Sequence, residues 1–260
     1  MFLQKAHNND TIQGRGGAFI LAILTLLMIS SGLKAQLDKS SASYFSEDSL
    51  LITADEYITS DTLPYLILIH EQGSSRGEFE DIIHRFQKMN FNCLVADIRN
   101  GGNANFIANE TEKRCRAGEF SMKTEAIEGD IRSSVRYAYE QSGEQVILMG
   151  AGANASLVLK TAKEQPVVKA AIALSPGEYF LNNFSVEDTI SGLQKPILVT
   201  TNQIEKPYVE QLVSGVDEEY KTVFTPEEKA GARGTNALLP ENESEGEYWL
   251  SILLFFKDLQ

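Results

Sequence analysis

Residues 145–162, QVILMGAGANASLVLKTA, constrain the fold more than any other stretch: an apolar run ends in a glycine-rich turn that opens directly into an amphipathic helix. A short continuous apolar run fits a strand buried on both faces, the kind found in parallel sheets. The same rhythm recurs along the chain. Residues 49–58 (SLLITADEYI) alternate in the manner of a strand, and residues 63–69 and 91–96 are further apolar runs. Residues 79–89 and 124–139 carry helical spacing, the latter with Ile127, Ile131 and Val135 on one stripe. A glycine- and asparagine-rich loop covers 100–109. Strands at 146–149, 170–174 and 197–200 alternate with helical segments, and a final helix at 247–259 is rich in Leu, Phe and Trp. After an initial strand pair, this order predicts an α/β fold, a mostly parallel central sheet with helices on both faces. The stretch between Leu174 and Pro196 is too short for a separate cap domain.

The amino-terminal end has a different character. Residues 18–29 (AFILAILTLLMI) are preceded by Lys5 and Arg15 and followed by Ser30, Ser31, Gly32 and Ala35. That length suits the apolar region of a secretory signal peptide better than a membrane span, with an uncleaved anchor as the alternative. On either reading the rest of the chain is exported, to a periplasm or outside the cell. We take 1–35 as the signal peptide, the Ser-, Asp- and Lys-rich 36–48 as a linker, and 49–260 as one domain. The net charge of −13 argues against a nucleic-acid or anionic-membrane partner, which requires clustered Lys and Arg. In an oxidising compartment Cys93 and Cys115 are a candidate disulfide, but Cys93 lies inside an apolar strand pattern and two separate thiols fit equally well. Beyond residue 35 the histidines are His70 and His84, and no C-x-x-C occurs, so a zinc site has little to be built from. No cofactor is expected.

In sheets of this type ligands sit beyond the carboxyl ends of the strands. The informative residues are therefore His70-Glu71-Gln72, Asp97 to Arg99, Gly150 to Asn154, Ser175-Pro176, Thr201 to Glu205 and Ala232 to Thr235. Taken with SEDSLLITADEY, ILIHEQGSSRGEFEDI, FNCLVADIRNGG, IANETEKR, ALSPGEYF, PILVTTNQIE and GARGTNAL, these loops resemble an α/β-hydrolase, in particular its small dienelactone-hydrolase-like or esterase-like members. The resemblance runs over 46–260. It implies a G-x-S-x-G turn that lifts a serine above the sheet, a histidine that takes its proton and an acid that orients the histidine.

On matching positions this chain carries Gly150-Ala151-Gly152-Ala153-Asn154, so the nucleophile falls on Gly152, and Asn154 takes the place of the turn's last small residue. The acid falls on Glu205, with Glu178 as a second candidate. The histidine of a G-x-H-G turn falls on Arg233, within Gly231-Ala232-Arg233-Gly234. Arginine stays protonated and cannot serve as the base. Losing the nucleophile alone costs about a millionfold in turnover, as much as losing all three members. The resemblance therefore implies a degenerate triad and an inactive homologue. Glycine at the turn also relieves the backbone strain, about 1–3 kcal/mol, that a serine would carry there. An oxyanion hole consists of backbone and survives such losses. Its donors fall on the N–H groups of Ala153 and Gln72, with His70, Glu71 and Asn154 alongside, and a small carboxylate or other anion is the expected ligand.

Two other chemistries remain open. Cys115, with His70 as its base, is the candidate nucleophile of an active hydrolase; Ser156 lies a helical turn too far along to replace the missing serine. Gly150-x-Gly152-x-x-Ala155 also matches a dinucleotide fingerprint, although the next strand ends Leu174-Ser175-Pro176 with an acid, Glu178, only nearby. The remaining conspicuous residues have structural readings. Tyr248, Trp249, Phe255 and Phe256 form the buried face of a docking helix, and Asp97 and Arg99 pair or cap within their loop. Asn109-Glu110-Thr111 matches a glycosylation acceptor in a host that glycosylates, and residues 241–247 form a solvated acidic loop.

Overall fold

The computed structural model describes Met1 and residues 38–259. Apart from Met1, the expected signal peptide or anchor lies outside the described residues, among which no helix is long and apolar enough to cross a membrane.

In chain order the strands are β1 (Asp38–Phe45), β2 (Leu51–Ile58), β3 (Tyr65–Ile69), β4 (Asn92–Ala96), the short pair β5 (Asn103–Ala104) and β6 (Ile107–Ala108), β7 (Val146–Ala151), β8 (Val168–Leu174), β9 (Ile197–Thr200) and β10 (Lys221–Phe224). Eight of them form one sheet in the order β1-β2-β4-β3-β7-β8-β9-β10. β1 pairs antiparallel to β2, and β2 antiparallel to β4; every other pairing in that sheet is parallel. The helices are α1 (Ile83–Gln87), α2 (Glu110–Ala117), α3 (Thr124–Ser142), α4 (Gly152–Glu164), α5 (Val186–Ile190), α6 (Lys206–Leu212) and α7 (Glu245–Asp258). Between β8 and β9 the chain makes only the short α5, and no large cap covers the carboxyl edge.

The strand sequences are apolar throughout because successive residues point to opposite faces and both faces are covered. In β3, Ile67 and Ile69 enter a core beneath α3 and α4 with Ile131, Val135 and Leu157. Leu66 and Leu68 enter a second core beneath α1 and α7 with Phe86, Tyr248 and Trp249. Each such buried side chain contributes about 1.5–3 kcal/mol relative to exposure. Tyr248, Trp249, Phe255 and Phe256 are all buried on α7, whose first turn carries Glu245 and Glu247. The acidic tract thus runs into the helix, where negative charge at the amino end is favourable.

Several local expectations change. Most of the linker stretch is strand β1, an edge strand that turns Ala42 and Tyr44 inward and leaves its Lys and Ser residues exposed. β2 and β3 are not neighbours, since β4 lies between them. The helical spacing at 79–89 yields a 3-10 turn (Arg76–Phe79) and the single turn of α1, and the 100–109 loop contains the β5–β6 pair. Cys93 and Cys115 are both buried free thiols, which removes the disulfide. Asn109 is fully buried as the amino-terminal cap of α2, its Oδ1 accepting from Glu112 N at 2.8 Å, and so is no glycosylation acceptor.

Candidate functional site

β7 ends at Ala151, and the chain turns at Gly152 with φ +55° into α4. That left-handed conformation is where a side chain costs strain and glycine does not. Gly150, one pair of residues earlier, lies so close to α4 that a Cβ there would come within 2.8 Å of Val158 Cγ2. The turn is therefore sharp and tightly packed, as a strand-to-helix elbow must be.

The space above Gly152 is filled by Glu71. A Cβ on Gly152 would overlap the Glu71 carboxyl group, and one on Gly234 would stand 3.2 Å from Glu71 Oε2. Glu71 leaves β3 one residue after His70, and its own N–H donates to Glu78 Oε2 at 2.9 Å. The other Glu78 oxygen accepts from Thr235 Oγ1 at 2.7 Å, which ties this loop to the turn carrying Arg233.

Arg233 reaches in from that turn and bridges three partners. Nη1 lies 2.7 Å from Glu71 Oε1, Nε lies 3.2 Å from Glu205 Oε1, and Nη2 donates to Tyr179 Oη at 2.8 Å. Its guanidinium also lies 5.8 Å from the Tyr179 ring centre. The turn is held by Gly234 N donating to Ser175 Oγ at 3.0 Å, with Gly231 and Gly234 at φ +74° and +57°. Burial works against the charge on Arg233, but the Tyr179 hydrogen bond and the Glu71 carboxylate outweigh it and raise its pKa. Glu205 immediately precedes α6, and its Oε2 is buried without a hydrogen-bond partner.

Arg233 and Glu205, two of the positions expected from the sequence to carry a triad, thus meet at the elbow through Glu71 in a carboxylate–guanidinium–carboxylate chain. No group in it is both nucleophilic and paired with a base, and the guanidinium cannot accept a proton. Glu71 and Glu205 thus share one guanidinium.

The other candidates lie elsewhere or have structural partners. His70 is fully buried; its Nδ1 lies 2.7 Å from Glu71 O, and its Nε2 accepts from Ile98 N at 3.0 Å. Cys115 is buried with Sγ 3.3 Å from Met122 Sδ and 3.7 Å from Phe120 O, and burial raises its pKa. The structure does not bring Cys115 to His70, and a desolvated thiol is the opposite of an activated one. Asn154 is buried, donating to His70 O at 2.7 Å and exchanging hydrogen bonds with Asn100, so it locks the loop after β3 to the elbow. Gln72 is an exposed residue of that loop, and the Ala153 N–H belongs to the first turn of α4, where no intrahelical acceptor exists.

Glu178 caps α5, accepting from Val186 N at 2.7 Å and Glu187 N at 2.8 Å, and takes no part in the Arg233 cluster. Ser156 is buried and staples Gly177 through both N and O. Asp97 and Arg99 do not pair with each other: Asp97 binds Arg76, and Arg99 binds Asp48 and Asp130. The close approach that a pyrophosphate would need at Gly152 is occupied by the Glu71 carboxyl group in this structure. Sequence reasoning put Glu71 at the pocket edge but missed that it fills the elbow, and it missed Tyr179 and Glu78 altogether. One usable signal was the exchange of a neutral serine and a histidine for a glycine and a cation beside an acidic loop.

Among the described residues no group of His, Cys, Asp and Glu is arranged to hold a metal ion. A cavity of about 520 Å3 lined by Gly231, Ala232, Asn236 and Glu243 borders the turn that carries Arg233, and another of about 360 Å3 lies between Pro64 and Phe256.

Solved structures share this architecture. An esterase from Pyrococcus furiosus aligns with TM-score 0.65 at 13% identity, covering 86% of this chain and 91% of its own. A dienelactone hydrolase from Anabaena variabilis aligns with TM-score 0.65 at 13% identity over 86% of this chain and 98% of its own. The esterase domain of a Rhodothermus marinus protein aligns with TM-score 0.58 at 13% identity over 85% and 98%. No curated protein matches the chain. At such identities the structural likeness speaks for the fold, while the family model for dienelactone hydrolases matches residues 52–223, from β2 to the last strand of the sheet. That match spans well over half of the sequence, and this chain belongs to the dienelactone hydrolase family.

Proposed function

We propose that the chain is a catalytically inactive, exported member of its family that acts by binding, with the anion seat of the elbow held by its own Glu71. The observation that carries this reading is the Glu71 carboxyl group standing where the side chain of residue 152 would be, ion-paired to Arg233. A helix amino terminus and an adjacent guanidinium favour an anion at that point. The ligand class is a small carboxylate, which replaces Glu71 charge for charge and inherits its bond to Arg233. Because Glu71 is tethered, a free carboxylate competes at a disadvantage set by the effective concentration of the tethered group, on the order of millimolar.

Melting curves with acetate and propionate test this. The natural chain responds weakly at millimolar ligand, and Glu71→Ala gains a saturable rise in melting temperature that Glu71→Ala/Arg233→Gln lacks. A Glu71→Ala chain that ignores both carboxylates would remove the anion seat. Robust hydrolysis of short acyl esters by the natural chain would remove the claim of inactivity and make Glu71 the first residue to replace.

A further inference from the structure

Helix α7 has two apolar faces, and the core uses one. Tyr248, Trp249, Ile252, Phe255 and Phe256 are buried, whereas Leu250, Leu253 and Leu254 are 55%, 50% and 49% exposed on the opposite side. Single exposed leucines are ordinary, but three at i, i+3 and i+4 make a stripe. Along that stripe Glu247, Leu250, Leu254 and Lys257 follow the 3-4-3 spacing of a helix–helix seam. Among the described residues neither Glu247 nor Lys257 has an ion-pair partner, in contrast to Glu245, which binds Arg85 at 2.8 Å.

The order of these four residues is symmetric about Ile252. When two copies of α7 lie antiparallel across a two-fold axis through that point, Leu250 of each faces Leu254 of the other. Glu247 of each then faces Lys257 of the other, at both ends of the seam. A two-fold interface demands this self-complementarity, in which a residue's partner meets the residue in return. The parallel arrangement would set Glu247 against Glu247 and Lys257 against Lys257.

We infer that the outer face of α7 is a self-association surface, and that its occupant is a second copy of this chain packed antiparallel through Leu250 and Leu254. Three leucines from each copy and two ion pairs make a small interface, below the roughly 1,200 Å2 of stable complexes, so the dimer is weak and reversible.

Sedimentation of the full chain over a hundredfold concentration range is the test, with a charge-swap set. The natural chain shifts from monomer to dimer as concentration rises, and Leu250→Glu/Leu254→Glu abolishes the shift. Glu247→Lys and Lys257→Glu each weaken association at least severalfold, and the two combined restore it. Restoration cannot come from association through another part of the chain, including residues 2–37. Leu250→Cys/Leu254→Cys also gives a covalent dimer under oxidation, with Cys93 and Cys115 buried and out of reach. A natural chain that stays monomeric throughout, or a dimer indifferent to the leucine and charge variants, overturns the inference.

Discussion

Two arginines organise two ionic clusters in this protein, and they are built for different purposes. Arg99 is fully buried, with Nε and Nη2 on the Asp130 carboxylate at 2.9 and 2.7 Å, both Nη groups on Asp48 and a further bond to Ser121 O at 2.8 Å. Ser46 Oγ closes the network on Asp130 at 2.6 Å. Arg233 is 39% exposed, sits over a turn that only glycine adopts without strain and leaves one Glu205 oxygen buried without a partner. The first cluster satisfies its polar atoms and fastens α3 to the loops after β1 and β4. The second lies against the turn at Gly152 and has the residue types of an ion pair. A charged cluster in an enzyme fold is thus read by its position over the elbow and its unfinished hydrogen bonding, and not by its charge alone.

The comparison breaks most visibly in stability. Arg99→Met leaves two carboxylates, one of them fully buried, without their cation, and denaturant midpoints will report a loss of about 3–5 kcal/mol, whereas Arg233→Met, at a partly exposed site, costs about 1 kcal/mol or less. If the two substitutions cost the same, the distinction between the clusters fails.

A smaller effect sharpens the elbow side. Gly152→Ala imposes about 1–3 kcal/mol of backbone strain and also forces the Glu71 carboxyl group out of its seat. Made in a Glu71→Ala background, the same substitution carries the strain alone. A double-mutant cycle on the two sites will therefore show a coupling of about 0.5–3 kcal/mol, and strict additivity would mean that Glu71 does not fill the elbow in solution.

The smallest effect concerns acid. Hydrogen bonds from Arg99 hold the Asp48 carboxyl below its ordinary value of 3.8. A depressed carboxyl stabilises the fold fully above its unfolded pKa, and the contribution is lost as pH falls through the lower folded value. Stability will therefore decline below about pH 4 in the natural chain, and less steeply in Asp48→Asn. Asp48 is partly exposed, so high salt will shrink the difference. Identical acid limbs for the two chains would take Asp48 out of the Arg99 network.

The sequence was most readable where burial on both sides forces a plain pattern. Residues 197–200 form β9 with the bounds their apolar run suggests, and α3 follows the stripe of Ile127, Ile131 and Val135. Edge elements were not readable in this way. β1 buries Ala42 and packs Tyr44 against the core, and β10 has no fully buried residue, so neither carries enough apolar signal to separate it from a polar connection. The helical spacing at 79–89 failed for another reason: its apolar residues are held by the core under α7, which fixes Phe79 and Phe86 without requiring a continuous helix between them. In the candidate site, the proximity of the turns carrying residues 152, 205 and 233 follows from the order of strands and turns. The filling of the elbow by Glu71 does not, because it depends on where a side chain from the loop after β3 comes to rest against α4, a contact made across 81 positions of chain.

The central claim, that this is a hydrolase framework whose elbow is closed by its own carboxylate, is tested most directly by ester hydrolysis. The natural chain, Gly152→Ser/Arg233→His and the same pair with Glu71→Ala should be compared on short activated acyl esters. The account predicts no turnover above buffer for the natural chain, the highest rate for the triple variant, by about 10²-fold or more over background, and less for the double variant, in which Glu71 still competes for the space of the new serine. Turnover by the natural chain equal to or above that of the triple variant would contradict it.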